Sequence, residues 1–168
     1  MSRLDSAIRR LQAQRACLDF ACAQIAGRPG PVFELGLGNG RTYDHLRARL
    51  EEPAERWPIY VFERRVAAHP DCVPPDERLF LGDFRETLPR AAAAFAGRVV
   101  LAHADMGSGD AAANAELAAF VGRALAPALA PGALVLSDQP LTLPGAELLP
   151  PPEGVESGRY GVYRTAVS

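Results

Sequence analysis

Three glycines on alternate positions, Gly36, Gly38 and Gly40, separate the apolar run Val32-Phe33-Glu34-Leu35 from a helical pattern extending from about Arg41 to Leu50. A strand that turns this abruptly into a helix leaves the first amide N–H groups of that helix unpaired at the turn. Glycines there let a ligand come against bare backbone. A plain tight turn would rarely need three of them. The unit is the first half of a strand–helix–strand crossover, and it commits the chain to a parallel sheet wherever further strands follow.

Further strands do follow, each ending at an acid. Ile59-Tyr60-Val61-Phe62 runs to Glu63, Arg78-Leu79-Phe80-Leu81 to Asp83, Arg98 through His103 to Asp105, and Ala133-Leu134-Val135-Leu136-Ser137 to Asp138. Helical patterns over Phe84–Ala96 and Asp110–Leu125 separate the later ones, and a Pro-rich connection around Pro70, Pro74 and Pro75 separates the second from the third. In the tail, Ala146–Leu149 and Tyr160–Arg164 read as two antiparallel strands on the sheet edge, the first of them vestigial. The expected architecture is an α/β, Rossmann-like three-layer sandwich: a mostly parallel, seven-stranded sheet forming a single domain over 1–168, with an added N-terminal helix.

That helix, about Ser2 to Ala26, contains neither Pro nor Gly. Leu4, Ile8, Leu11, Leu18, Cys22 and Ile25 recur at spacings of four and three, and Arg15 fills the missing place in the stripe. An Arg in an apolar seam needs a carboxylate or water, because an unpaired buried charge is costly. The helix is therefore expected to lie over a ligand crevice or in a homo-oligomer contact, with Arg15 directed at an acid.

Composition narrows the chemistry. All 18 basic residues are Arg, so mechanisms that need a lysine, such as Schiff bases or the phosphate-loop lysine, are excluded. A net charge of −2, with no basic cluster interleaved with aromatics, argues against a nucleic-acid surface. Cys17, Cys22 and Cys72 form neither a disulfide framework nor a Cys-x-x-Cys pair, which fits a reducing cytoplasm. No window reaches 18 uncharged apolar residues, and Arg9, Arg10 and Arg15 interrupt any signal-like N-terminal run, so no membrane association is expected. A dinucleotide fingerprint would place its third glycine one residue later, where this chain has Arg41, so the spacing disfavours NAD and FAD.

Glu34-x-Gly36-x-Gly38-x-Gly40 resembles the first motif of class I S-adenosylmethionine-dependent methyltransferases, and the resemblance covers roughly residues 30 to 140. It implies S-adenosyl-L-methionine as cofactor, held at Glu34, Gly36, Leu37, Gly38, Asn39, Gly40, Arg41 and Thr42. It further implies Glu63, with Arg64 beside it, at the ribose hydroxyls, Asp83 and Phe84 at the adenine, and a contact from His103. Leu129-Ala130-Pro131-Gly132-Ala133-Leu134-Val135 looks like the family's approach to its fifth strand. The whole chain, including Gln14-Arg15-Ala16-Cys17-Leu18-Asp19, is also similar to a small group of bacterial proteins known only as methyltransferases.

His103, Asp105 and Asp138 fall where that family places acceptor-side groups, and they are the candidate catalytic residues. Ala102-His103-Ala104-Asp105-Met106-Gly107 departs from the Asn/Asp-Pro-Pro-aromatic motif of members that methylate nucleic acids and glutamine, and no insertion is long enough for a substrate domain. A small-molecule acceptor is therefore expected. Asp105 with Asp138-Gln139 is also similar to the magnesium site of catechol-type O-methyltransferases, although Gln stands in place of Asn. A non-catalytic sensor or subunit that binds the same cofactor is the reading from another class.

Overall fold

Two strands are buried along their whole length, β1 (Val32–Leu35) and β4 (Val99–Ala104), and burial on both faces puts them at the centre of a parallel sheet. The computed structural model describes residues 2–50 and 55–167. Around that centre lie β2 (Ile59–Glu63), β3 (Leu79–Leu81), β5 (Leu129–Ser137), β6 (Ala146–Leu148) and β7 (Gly161–Thr165), in the order β3-β2-β1-β4-β5-β7-β6. The pairs β1·β2, β2·β3, β1·β4 and β4·β5 are parallel. β7 runs antiparallel to β5, and β6 antiparallel to β7, closing the edge with a hairpin. The sheet is thus the expected seven-stranded, Rossmann-like one.

β5 starts four residues earlier than the apolar run suggests. Arg28 donates from its guanidinium to the carbonyls of Pro131 and Gly132, and the ladder with β4 shifts register between Val99 and Leu101. The exposed Pro131 thereby fits a strand whose pairing it would otherwise break.

The helices are α1 (Arg3–Ile25), α2 (Arg41–Arg49), α3 (Phe84–Ala94) and α4 (Ala111–Leu125). α1 packs with α2 and against β4 and β5, while α3 packs with α4. α1 opens with a capping box, in which Ser2 Oγ accepts from the Asp5 N–H and the Ser2 N–H donates to the Asp5 carboxylate. None of the described helices is long and apolar enough to cross a membrane.

The register of α1 corrects the expected stripe. Its buried face is Ala13, Gln14, Cys17, Leu18, Ala21, Cys22 and Ile25. Leu4, Ile8 and Leu11 are 69%, 44% and 37% exposed, and Arg15 is exposed. The first three turns, through Gln12, bury no side chain. From Ala13 onward the stripe's Leu18, Cys22 and Ile25 are covered as expected, but the covered face extends to the side of Ala13, Gln14, Cys17 and Ala21 and leaves Arg15 beyond its edge. Gln14 therefore takes the interior place expected of Arg15, and no ion pair of Arg15 exists among the described residues.

Two truncations separate the halves of this helix. Deleting residues 2–9 removes only side chains exposed in the single chain, so at a dilution where the protein is monomeric the thermal midpoint should stay within about 3 °C of the parent. Deleting residues 1–26 also strips Leu18, Cys22 and Ile25 from the core, and a melt followed by circular dichroism should lose its cooperative transition.

Candidate active site

In an open parallel sheet, ligands bind beyond the carboxyl ends of the strands where the order reverses. Here that point lies between β1 and β4. The Gly36 N–H donates to the Phe62 carbonyl at 2.8 Å, and the Asp105 N–H donates to the Leu35 carbonyl at 3.1 Å, so both chain exits are pinned to the sheet. Gly36 has φ +93°, and a methyl group there would collide with the carbonyl of Asp105. Gly38, at φ +53°, has no neighbour within 4 Å of its missing Cβ. One glycine lets the loop pass β4; the other leaves space on a groove. Gly40 lies off the groove, capping α2 against Cys72.

The groove has two lobes. The larger, about 350 Å³, includes Glu63, Arg64, Asp83, Phe84, Met106 and Leu117. The smaller, about 270 Å³, includes Arg10, Gln14, Leu37, Asn39, Arg41 and Thr42. Gly36, Gly38, Asp105 and Gly107 border both.

Glu63, at the end of β2, reaches back to the glycine loop. Its Oε2 accepts from the Leu37 and Gly38 N–H groups at 2.8 and 3.0 Å, and its Oε1 from the Arg64 and Arg65 N–H groups at 2.7 and 3.3 Å. Asp83 caps α3 by accepting from the Arg85 N–H at 2.8 Å and also pairs with the Arg64 guanidinium at 3.0 Å. The backbone bond from Arg85, then the charges of Arg64 and Arg85, hold its carboxyl below the ordinary value despite some burial.

Two expected site residues lie in the interior instead. Glu34 and His103 have no solvent exposure. Glu34 accepts from Thr42 Oγ1 through one oxygen and from His103 Nδ1 at 2.7 Å through the other. His103 Nε2 is paired with Tyr160 Oη at 2.5 Å, and the two rings lie 10° from parallel. Burial lowers the proton affinity of this imidazole, but the adjacent Glu34 carboxylate outweighs it and sets the pKa above its ordinary value. Burial drives the Tyr160 phenol well above its own. With both ring nitrogens engaged and no exposure, His103 does not present a base to the groove.

Asp138 likewise turns away from it. Its oxygens accept from the N–H groups of Met106 at 3.1 Å and Gly107 at 2.9 Å, and from Gln139 Nε2 at 3.0 Å. It holds the loop after β4 and lines a separate cavity of about 420 Å³ with Gln139, Tyr160 and Tyr163. Among the described residues no third His, Cys, Asp or Glu joins Asp105 and Asp138. Of the three candidate catalytic side chains, only Asp105 borders the groove.

Gln14 and Tyr160 escaped the sequence reading. Gln14 is buried and donates from Nε2 to Asp105 Oδ2 at 2.9 Å, with Tyr160 Oη at 3.5 Å. Gln14 enters the sequence analysis only within the stretch Gln14–Asp19, and Tyr160 only as the start of a tail strand, neither with a role in the site. The available signal was a polar residue on the buried face of α1, which the stripe through Arg15 concealed.

The S-adenosyl-L-methionine methyltransferase family matches residues 1–165. An S-adenosyl-L-methionine methyl transferase of known crystal structure from Silicibacter pomeroyi DSS-3 is 48% identical, with 99% of each chain covered and a TM-score of 0.91. Cofactor-bound Rv0187 from MTB (16% identity, 100% and 92% coverage, TM-score 0.57) shares the fold. So does the antibiotic-resistance methyltransferase Kmr (12% identity, 87% and 91% coverage, TM-score 0.54). Comparison with curated proteins found no match.

The two glycines should respond differently to alanine. Gly36→Ala forces a backbone collision and a left-handed side-chain residue together, and should cost several kcal/mol in denaturant unfolding. Gly38→Ala meets no collision and should cost about 1–2 kcal/mol, the left-handed penalty alone. The raised imidazole pKa carries a sign. Its stabilising contribution is complete below the ordinary value of 6.5 and is lost as pH rises through the folded value. Unfolding free energy measured against pH should therefore fall more steeply above 6.5 in the parent than in His103→Gln.

Proposed function

The chain belongs to the S-adenosyl-L-methionine methyltransferase family, and on that footing we propose that it methylates a small-molecule acceptor, with the cofactor held in the two-lobed groove at the switch point. The observation that carries the placement is the division of polar groups between the lobes. Glu63 and Asp83, hydrogen-bond acceptors suited to ribose hydroxyls and an adenine amino group, flank the larger lobe. Arg10, Arg41, Gln14 and Asn39, suited to an amino acid's carboxylate and ammonium, flank the smaller. Phe84 offers a ring face beside Asp83, and the open space at Gly38 leaves the backbone approachable.

When bound, the cofactor supplies a methyl group on a positively charged sulfur: the acceptor's lone pair forms the new bond to carbon, and the C–S electron pair stays on sulfur as a neutral thioether. The chain's part is orientation and exclusion of water. Glu63 ties the glycine loop to β2, Asp138 ties the loop after β4, and Asp105 stands between the lobes. The β4 end, reading His103-Ala104-Asp105-Met106-Gly107, supports an acceptor other than nucleic acid. Three free cysteines, two of them in the core, support a reducing cytoplasmic setting. The apolar edge left by Leu4, Ile8 and Leu11 supports self-association through α1.

Calorimetric titration with S-adenosyl-L-methionine tests the placement without an acceptor. Glu63→Ala removes the carboxylate that serves both the loop and the ribose hydroxyls, and should weaken binding by about 1–3 kcal/mol. Parental affinity in a folded Glu63→Ala protein would show that the larger lobe holds something else.

A further inference from the structure

Among the described residues, Asp105 is the one ionisable residue on the wall common to the two lobes; the other shared residues are Gly36, Gly38 and Gly107. Its position is unusually determined. The backbone is fixed by the bond to Leu35 and by the close pass of Gly36. The carboxylate is fixed by Gln14, which is itself buried and lies against Tyr160. Tyr160 is paired with His103, and His103 with Glu34. Four side chains, from α1, the approach to β7, β4 and β1, therefore end on one carboxylate at the groove.

The choice of residue at position 14 is informative. An Arg there would neutralise Asp105, whereas an amide orients the carboxylate and leaves its charge uncancelled. Arg10 and Arg41 lie on the smaller lobe, but neither forms an ion pair with Asp105 among the described residues. An anion held in place and left unneutralised suits a cationic ligand atom.

A ligand filling both lobes must pass this shared wall at the atom that joins its two ends. In S-adenosyl-L-methionine that atom is the sulfonium. We infer that Asp105, with Gln14 as its positioning residue, is the group by which this site distinguishes the charged methyl donor from its neutral, demethylated product. The inference rests on the cofactor placement proposed above. Transfer of the methyl group removes the positive charge that Asp105 attracts, so the carboxylate favours entry of the donor and release of the spent thioether.

The test needs no acceptor. Affinities for S-adenosyl-L-methionine, S-adenosylhomocysteine and an analogue with an ammonium-bearing carbon in place of sulfur are measured by calorimetry. The parent, Asp105→Asn and Gln14→Met are compared, with thermal midpoints recorded. Asp105→Asn should lower the preference for the donor over the thioether about tenfold, which is about 1.4 kcal/mol. It should lower the preference for the ammonium analogue likewise. Gln14→Met should lower both preferences in the same direction by a smaller factor. If all three ligands weaken equally, Asp105 reads the shared amino-acid end and the inference is overturned.

A measurement on the parent alone guards against misfolded variants. Raising salt from about 0.05 to about 0.5 M should shrink the preference for the cations, since screening acts on the sulfonium and cancels in what the ligands share. A preference that ignores salt overturns the inference. Failure of the parent to bind any of the three would instead refute the cofactor placement itself.

Discussion

A carboxylate and an imidazole with no solvent exposure face each other across the two central strands, and the rest of the site is arranged around that fact. Taking Glu34 and His103 out of water is expensive, and their mutual attraction offsets the cost only if the remaining polar atoms also find partners. Thr42 serves the second oxygen of Glu34, and Tyr160 the second nitrogen of His103. Among the described residues, every buried side-chain nitrogen and oxygen has a partner. The requirement propagates: Tyr160 must be in place for His103, and Gln14 is drawn to Tyr160 and Asp105 together. Satisfying one buried pair thus fixes the orientation of groups several residues away, as buried polar chains do when complete.

Interior and groove divide the glycine motif between them. Glu34 acts inward on the pair, and Gly36 serves the crossing with β4 while bordering both lobes. Gly38 acts outward on both lobes and Asn39 on the smaller, while the Leu37 side chain is buried. The motif is read in sequence as a single ligand-binding signature, yet only part of it faces the ligand space. Glu63 is the bridge: rooted at the end of β2, it accepts hydrogen bonds from the loop and sits on the larger lobe.

The sheet was legible because its signals are local. Apolar runs of three to nine residues, all but the first running to an acid, with a glycine turn and helical spacing between them, specify parallel strands without long-range information. Glu63, Asp83 and Asp105 could be placed on the groove for the same reason, since a strand end is defined by its own sequence. His103 and Asp138 were misplaced because facing the groove depends on side-chain direction and partner supply, which neighbours in space decide. Gln14 and Tyr160 were missed on the same account. α1 shows the limit most clearly: the spacing identified Leu18, Cys22 and Ile25 on the covered face, but a step of one residue carries a side chain through about 100°, so Gln14 is inside where Arg15 is not.

The contact between Gln14 and Tyr160 spans 146 positions along the chain. A contact between groups so far apart in the chain exists only when the whole sheet has closed. Tyr160 sits just before β7, at the antiparallel edge, yet it is the outer partner of His103 and lies against Gln14, which holds Asp105. Loosening that edge would therefore be felt at the groove wall without any change in a residue that borders it.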